Sequence, residues 1–194
     1  MRKIDKISLL FIVAAALLTG CAGTTEKEKV ESTVTQEAEK MPASKGETAA
    51  ASTTFEAQDI EGNAVSSTIF SEAKLTMVNV WATYCNPCLR EMPGLGELAE
   101  EYEPETFQII GISSDVQEGA DQETLDLASA LIEQTGAGYT HLLLNESLYL
   151  SLLSDVTAVP TTFFIDENGT VLDTVIGSME KSAWEEKING FLEE

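Results

Sequence analysis

An α/β fold with a mixed central sheet flanked by helices is what the sequence predicts, on three observations. The run Leu75-Thr76-Met77-Val78-Asn79-Val80-Trp81 is dense in apolar and β-branched residues, as a buried central strand requires. Strand-like and helix-like segments alternate from about Thr54 onward, the order that builds parallel strands joined by helical crossovers. Near the end, residues 161–165 and 171–176 flank Asp166-Glu167-Asn168-Gly169-Thr170, a hairpin signal that adds an antiparallel edge.

Residues 55–60 and 64–70 flank the turn signal Glu61-Gly62-Asn63 and predict an N-terminal β-hairpin. After Cys85, apolar groups at Cys88, Met92, Leu95, Ala99 and Tyr102 recur every three or four residues. That spacing predicts an amphipathic helix, with Pro93 inside it as a kink. Phe107-Gln108-Ile109-Ile110-Gly111-Ile112 is the next strand. Leu125, Ala128, Leu131, Ile132 and Thr135 space a second helix, and residues 141–144 form a short strand. Ser147 is placed to cap a short helix reaching about Leu153. Trp184, Ile188 and Phe191 line the last helix, with Ser178 as its candidate cap. One domain over residues 54–194 is expected.

Charge excludes whole classes of function. The 194 residues carry 11 Lys and Arg against 33 Asp and Glu, a net charge of −22. Such a surface repels phosphate backbones, so no nucleic-acid partner is expected. It repels anionic headgroups as well, so attachment to a membrane must be hydrophobic or covalent. Three cysteines are too few for a disulfide scaffold or a four-thiolate zinc site.

The start of the chain reads as an address. Met1-Arg2-Lys3-Ile4-Asp5-Lys6 is basic, and residues 7–18 are apolar except for Ser8. That stretch is short of the roughly 20 residues a spanning helix needs and fits a secretory signal peptide. Leu18-Thr19-Gly20-Cys21 follows directly. It resembles the lipobox of bacterial lipoproteins. The resemblance implies a signal peptide over residues 1–20 and cleavage before Cys21, whose sulfur would carry a lipid. Residues 21–53 are rich in Thr, Ser, Glu, Lys and Ala without periodicity, and read as a flexible tether with a reach of about 30 Å. The expected location is the extracytoplasmic face of a cell membrane.

The chemical signal is Trp81-Ala82-Thr83-Tyr84-Cys85-Asn86-Pro87-Cys88-Leu89-Arg90-Glu91-Met92-Pro93. Two cysteines at i and i+3 sit where a buried strand hands over to a helix. At a helix start the unpaired N–H groups and the positive end of the dipole stabilise a thiolate, the attacking species. A second thiol one turn further in can resolve a mixed disulfide. Pro87 suits the first helical turn. A static disulfide is the plainer alternative. A zinc half-site would need two more ligands, and the chain has one histidine.

This block resembles the active site of the TlpA/ResA-like, thioredoxin-family thiol–disulfide oxidoreductases. Cys85, Cys88, Glu91 and Pro93 match that family's C-x-x-C-x-x-E-x-P form. Val159-Pro160-Thr161-Thr162-Phe163-Phe164-Ile165-Asp166 matches its cis-proline segment and following strand, and Asp59-Ile60-Glu61-Gly62-Asn63 its hairpin turn. Residues 121–145 match its central αβ insertion. Tyr84 stands where the family usually has Trp, and Ala158 where Gly is frequent. The resemblance covers roughly residues 54–192 and implies a thioredoxin-like fold.

By that resemblance Cys85 is the nucleophile, Cys88 resolves, the two form a redox-active disulfide, and Pro160 is cis and faces it. Glu91, three residues past Cys88, falls on the same helical face and is the candidate proton handler. The domain from Thr54 on holds 4 basic and 26 acidic side chains, which together with Glu91 disfavour a thiolate. A less stable thiolate is the better electron donor, so a reductase of exported disulfides is expected. The resemblance further implies a membrane thiol donor of the CcdA/DsbD type, and apocytochrome c or an exported methionine sulfoxide reductase as targets. No cofactor or metal is expected. The alternatives are a peroxiredoxin-like peroxidase and a non-enzymatic copper- or solute-binding lipoprotein. The peroxidase needs a Thr one turn before its peroxidatic cysteine and an Arg nearby, where this chain has Thr83 two residues before Cys85 and Arg90 as the domain's one Arg. His141 and Trp184 read as packing residues. Trp81 reads equally well as core or as a shield over the sulfurs.

Overall fold

The computed structural model describes residues 53–193. The expected signal peptide, Cys21 and the tether up to residue 52 lie outside the described residues. Thr53, assigned above to the tether, is buried, and its N–H donates to Gly169 O at 2.8 Å. Among the described residues no helix is long and apolar enough to cross a membrane.

The hairpin strands are β1, Glu56–Gln58, and β2, Ala64–Ser66. β2 is shorter than its sequence suggests. Ser67 N–H closes the hairpin on Phe55 O, and Ser67–Glu72 then winds into a 3-10 helix that buries Phe70. The main sheet has five strands: β3, Leu75–Trp81; β4, Phe107–Gln117; β5, Thr140–Leu144; β6, Thr161–Asp166; and β7, Val171–Ile176. Their order is β5-β4-β3-β6-β7. β3 pairs in parallel with β4, and β4 with β5, whereas β6 runs antiparallel to β3 and to β7. The antiparallel half is therefore wider than one edge strand. The sheet is thioredoxin-like in its mixed arrangement.

Helices follow the strands. α1 is Asn86–Glu101, with Pro93 inside it. α2 is Gln122–Thr135, capped by the Asp121 carboxylate at Thr124 N–H and ended by Gly136 at φ 68°, in the left-handed region. α3, Glu146–Leu148, runs into a π-helical turn over Tyr149–Leu153, and α4 is Lys181–Leu192. Two expected caps differ. Asn145, not Ser147, accepts from Leu148 N–H, while Ser147 Oγ accepts from Glu56 N–H and ties α3 to the hairpin. α4 opens at Glu180 without a side-chain cap, because Ser178 lies too far upstream of the first turn.

All seven residues of β3 are buried. Its alternate side chains feed two faces: Val78 and Val80 join Phe55, Phe70 and Ile112 on one, and Leu75 and Met77 join Leu95, Leu98 and Trp184 on the other. Each such apolar side chain contributes roughly 1.5–3 kcal/mol on burial. Asn79 is the polar exception on the second face. Its register partners are Thr162 on β6 and Gly111 on β4, and Gly111 in turn pairs with His141 on β5.

Gly111 has a specific reason to be glycine. A Cβ there would penetrate the His141 ring, 2.6 Å from Cε1. Gly111→Ala is expected to lower the stability to urea by on the order of 3 kcal/mol, as overpacking a fixed core does. An unchanged denaturation midpoint would contradict this placement of the imidazole.

Candidate active site

The two sulfurs sit where β3 gives way to α1. Cys85 occupies the N-cap position of α1 with extended backbone, and its Sγ accepts from Cys88 N–H at 3.3 Å. Pro87, in the first turn, lacks the N–H that would have no helical partner there. Cys85 and Cys88 are joined in a disulfide, with Cα atoms 5.3 Å apart. Cys85 is 5% exposed and Cys88 fully buried, so only the first sulfur meets solvent. Tyr84, just before it, is 73% exposed.

The approach to α1 is pinned from β4. Thr83 N–H and its hydroxyl both donate to the Asp115 carboxylate, and Ser114 Oγ donates to Trp81 O. On the other side the Val159–Pro160 bond is cis, and Val159 packs against the apolar cluster that holds both cysteines. Pro160 O accepts from Gly177 N–H at 2.8 Å. A groove of about 320 Å³ opens beside this edge, lined by Tyr84, Ser114, Tyr149, Leu153, Val156 and Val159.

Behind the disulfide stands Glu91. It lies on the buried face of α1 with Cys88 and is 6% exposed. Its Oε1 accepts from Asn79 Nδ2 at 3.1 Å. Its Oε2 accepts from Met179 N–H at 3.1 Å and from Trp184 Nε1–H at 3.3 Å. Burial raises the carboxyl above its ordinary value of 4.5, and the three donors oppose that rise without cancelling it. A polar pocket of about 430 Å³, lined by Arg90, Glu91, Ser178, Glu180 and Lys181, connects the carboxyl to solvent. A carboxyl whose burial favours taking up a proton, at the buried end of a dithiol, can serve as its proton acceptor.

The other residues singled out from the sequence fall into place around this line. Trp81 is fully buried in the cysteine cluster, and its Nε1–H donates to His141 Nδ1 at 3.1 Å. His141 Nε2 faces Ala137 O at 2.9 Å, and burial lowers its pKa to about 4. His141 is thus a neutral packing group that fixes the Trp81 indole. The peroxidatic arrangement is not assembled: the Thr83 hydroxyl is committed to Asp115, and Arg90 lines the pocket behind Glu91. Among the described residues no group of three or more His, Cys, Asp or Glu side chains is placed to hold a metal ion. Asn79, Trp184 and the Met179 amide were missed as partners of Glu91. Only Asn79 left a trace, as a lone amide inside a buried apolar strand.

A thioredoxin-like sheet with a dithiol at the start of its first long helix and a cis-proline segment beside it defines a thiol–disulfide oxidoreductase. The comparisons with known proteins agree. The chain belongs to the AhpC/TSA family, whose model matches residues 48–174, and its relatives place it with the TlpA/ResA-like members of the thioredoxin family. It is 29% identical over 126 residues to the thioredoxin-like protein YneN of Bacillus subtilis, a match covering 61% of this chain and 66% of that protein. It is 28% identical over 138 residues to the thiol-disulfide oxidoreductase ResA of Bacillus thuringiensis, covering 71% of this chain and 72% of the relative. Its fold matches the crystal structure of a thioredoxin-family thiol:disulfide interchange protein from Chlorobium tepidum, with a TM-score of 0.60 at 22% identity over 73% of this chain and 94% of the other.

Proposed function

We propose that the protein is a lipid-anchored reductase of disulfides in exported proteins. The carrying observation is the buried Glu91 carboxyl, one helical turn beyond Cys88 and connected to solvent by its own pocket. In the reduced protein the Cys85 thiolate attacks a substrate disulfide. A Cys85–substrate bond forms, the substrate S–S bond breaks, and one substrate sulfur leaves. Cys88 gives its proton to Glu91 and attacks Cys85 Sγ, which frees the second substrate sulfur and closes the Cys85–Cys88 bond. Two electrons pass to the substrate, and the protein ends as the disulfide.

The reducing direction rests on electrostatics. The Glu91 carboxyl, one helical turn from Cys88, and the acid-rich domain both disfavour a standing thiolate, which makes the dithiol the higher-energy form. Electrons would return from a membrane thiol donor of the CcdA/DsbD type. Relatives named thiol-disulfide oxidoreductase support protein disulfides as the substrate class. Exported proteins, apocytochrome c and an exported methionine sulfoxide reductase among them, are the targets to test. Pro160 and Val159 would hold the substrate backbone beside Cys85. Cys21 would carry the lipid, so that the tethered domain reaches partners near the membrane.

Cys88→Ser in cells is expected to accumulate mixed disulfides with exported proteins that dissolve on reduction. Recovering none, with no insulin reduction by the unmutated protein, would contradict the reading. Cys21→Ala is expected to release the protein from the membrane fraction. A variant still in that fraction at the processed size would remove the lipid anchor.

A further inference from the structure

All three partners of Glu91 are donors in the structure, and two of them can be nothing else. The Met179 backbone N–H and the Trp184 indole N–H have no lone pair to offer. They suit an ionised carboxylate and offer nothing to the O–H of a protonated one. Asn79 differs. Its two N–H bonds go to Glu91 Oε1 and to Thr162 Oγ1, both at 3.1 Å. Its Oδ1 is buried and has no hydrogen-bond partner. Buried amide oxygens are rarely left so. A half-turn about Cβ–Cγ exchanges the two ends, so that Oδ1 faces both Glu91 and Thr162. The amide nitrogen then gives up its two acceptors for the unpartnered place that Oδ1 leaves, a cost that the new bond from the carboxylic acid must offset. The Thr162 hydroxyl can donate or accept, so it satisfies either orientation.

We propose that Asn79 is a positioning residue that reads the proton on Glu91, donating to the carboxylate and turning over to accept from the carboxylic acid. This rests on Glu91 being the proton acceptor of the dithiol. With Glu91 ionised, the amide donates and holds the charge against burial. When Glu91 takes the proton from Cys88, its O–H finds an acceptor in Oδ1, and the Thr162 hydroxyl turns to donate to the same oxygen. The proton is then held facing the β3 side of the pocket until it leaves for solvent. Other titratable groups lie around Glu91 without hydrogen-bonding it: Arg90 and Cys88 on α1, Glu180 and Lys181 across the polar pocket, and Tyr139 just before β5. Lys181 is committed to Glu97 and Glu101. The Tyr139 phenol is held well above its ordinary range by burial and by the Glu91 charge, so it does not compete for the proton.

The test is a pH titration of the full chain labelled on side-chain amides and carboxyls, followed by nuclear magnetic resonance. The Asn79 amide signals are expected to move with the same midpoint as the Glu91 carboxyl carbon. Asn79→Ala is expected to raise that midpoint by about one pH unit, because, of the two bonds lost, the one to the charged carboxylate is the stronger. It should raise the pH midpoint of Cys88-dependent turnover equally. Asn79→Ser, which can donate and accept, is expected to restore most of the difference. Asn79 signals that stay fixed across the Glu91 titration would overturn the proposal, as would an unchanged midpoint in Asn79→Ala. Glu91→Gln separates the two readings. A pH–turnover profile unmoved by Glu91→Gln removes Glu91 as acceptor. A profile moved by Glu91→Gln but not by Asn79→Ala removes only the role of Asn79.

Discussion

Replacing Cys85 with serine is expected to reduce insulin-disulfide reduction to the uncatalysed background. A hydroxyl in that position remains protonated at any physiological pH, and the oxygen forms no mixed disulfide. Cys88 offers no substitute, because its side chain is fully buried behind Cys85 and cannot meet a substrate sulfur. The contrast with Cys88→Ser sharpens the test. That variant keeps the Cys85 thiol, the less buried of the two, and should form one substrate bond per molecule, then stop. Turnover by Cys85→Ser at even a tenth of the unmutated rate would assign the attack to the wrong sulfur.

Glu91→Gln is expected to produce the second large effect, and it should act oppositely on rate and on stability. Loss of the proton acceptor should slow the resolving step by about 100-fold at neutral pH, as stopped-flow release of the substrate thiol would show. Stability runs the other way. The folded Glu91 carboxyl titrates above its ordinary 4.5, because burial disfavours the charge. Between 4.5 and its raised value the folded protein keeps a proton that the unfolded chain has lost. Linkage then makes stability fall as pH rises through that window and level off above it. The unmutated protein should therefore match Glu91→Gln below about pH 4.5 and become progressively less stable than it as pH rises through that window. Urea denaturation of both proteins across that range measures the difference. A parallel pH dependence in the two would mean that the buried carboxyl does not titrate as the site requires.

The parts legible in the sequence are those whose chemistry is local. Cys85, Pro87 and Cys88 announce a helix start and a dithiol because all three lie within one turn. Glu91 follows from the helical repeat. What surrounds it came from farther away: Asn79 is 12 residues distant and Trp184 is 93. Trp184 looked like core, and it is core on every side but its indole nitrogen. Spacing alone cannot tell a buried tryptophan with an ordinary partner from one aimed at a carboxylate. The caps failed for a related reason. Asn145 and Ser147 are both capping residues two positions apart, and the hairpin claimed Ser147 through Glu56. The extent of the antiparallel half of the sheet was likewise set by how β6 meets β3, a long-range pairing with no local signature.

The central claim is that Cys85 and Cys88 cycle between disulfide and dithiol as an electron donor. Equilibrating the protein in dithiothreitol buffers of graded potential, and counting free thiols by alkylation, tests it directly. The account predicts one two-electron transition near the thioredoxin end of the scale, at about −270 mV, lost in Cys85→Ser. A midpoint near that of the strong oxidant DsbA, about −120 mV, or a disulfide that never opens, would contradict it.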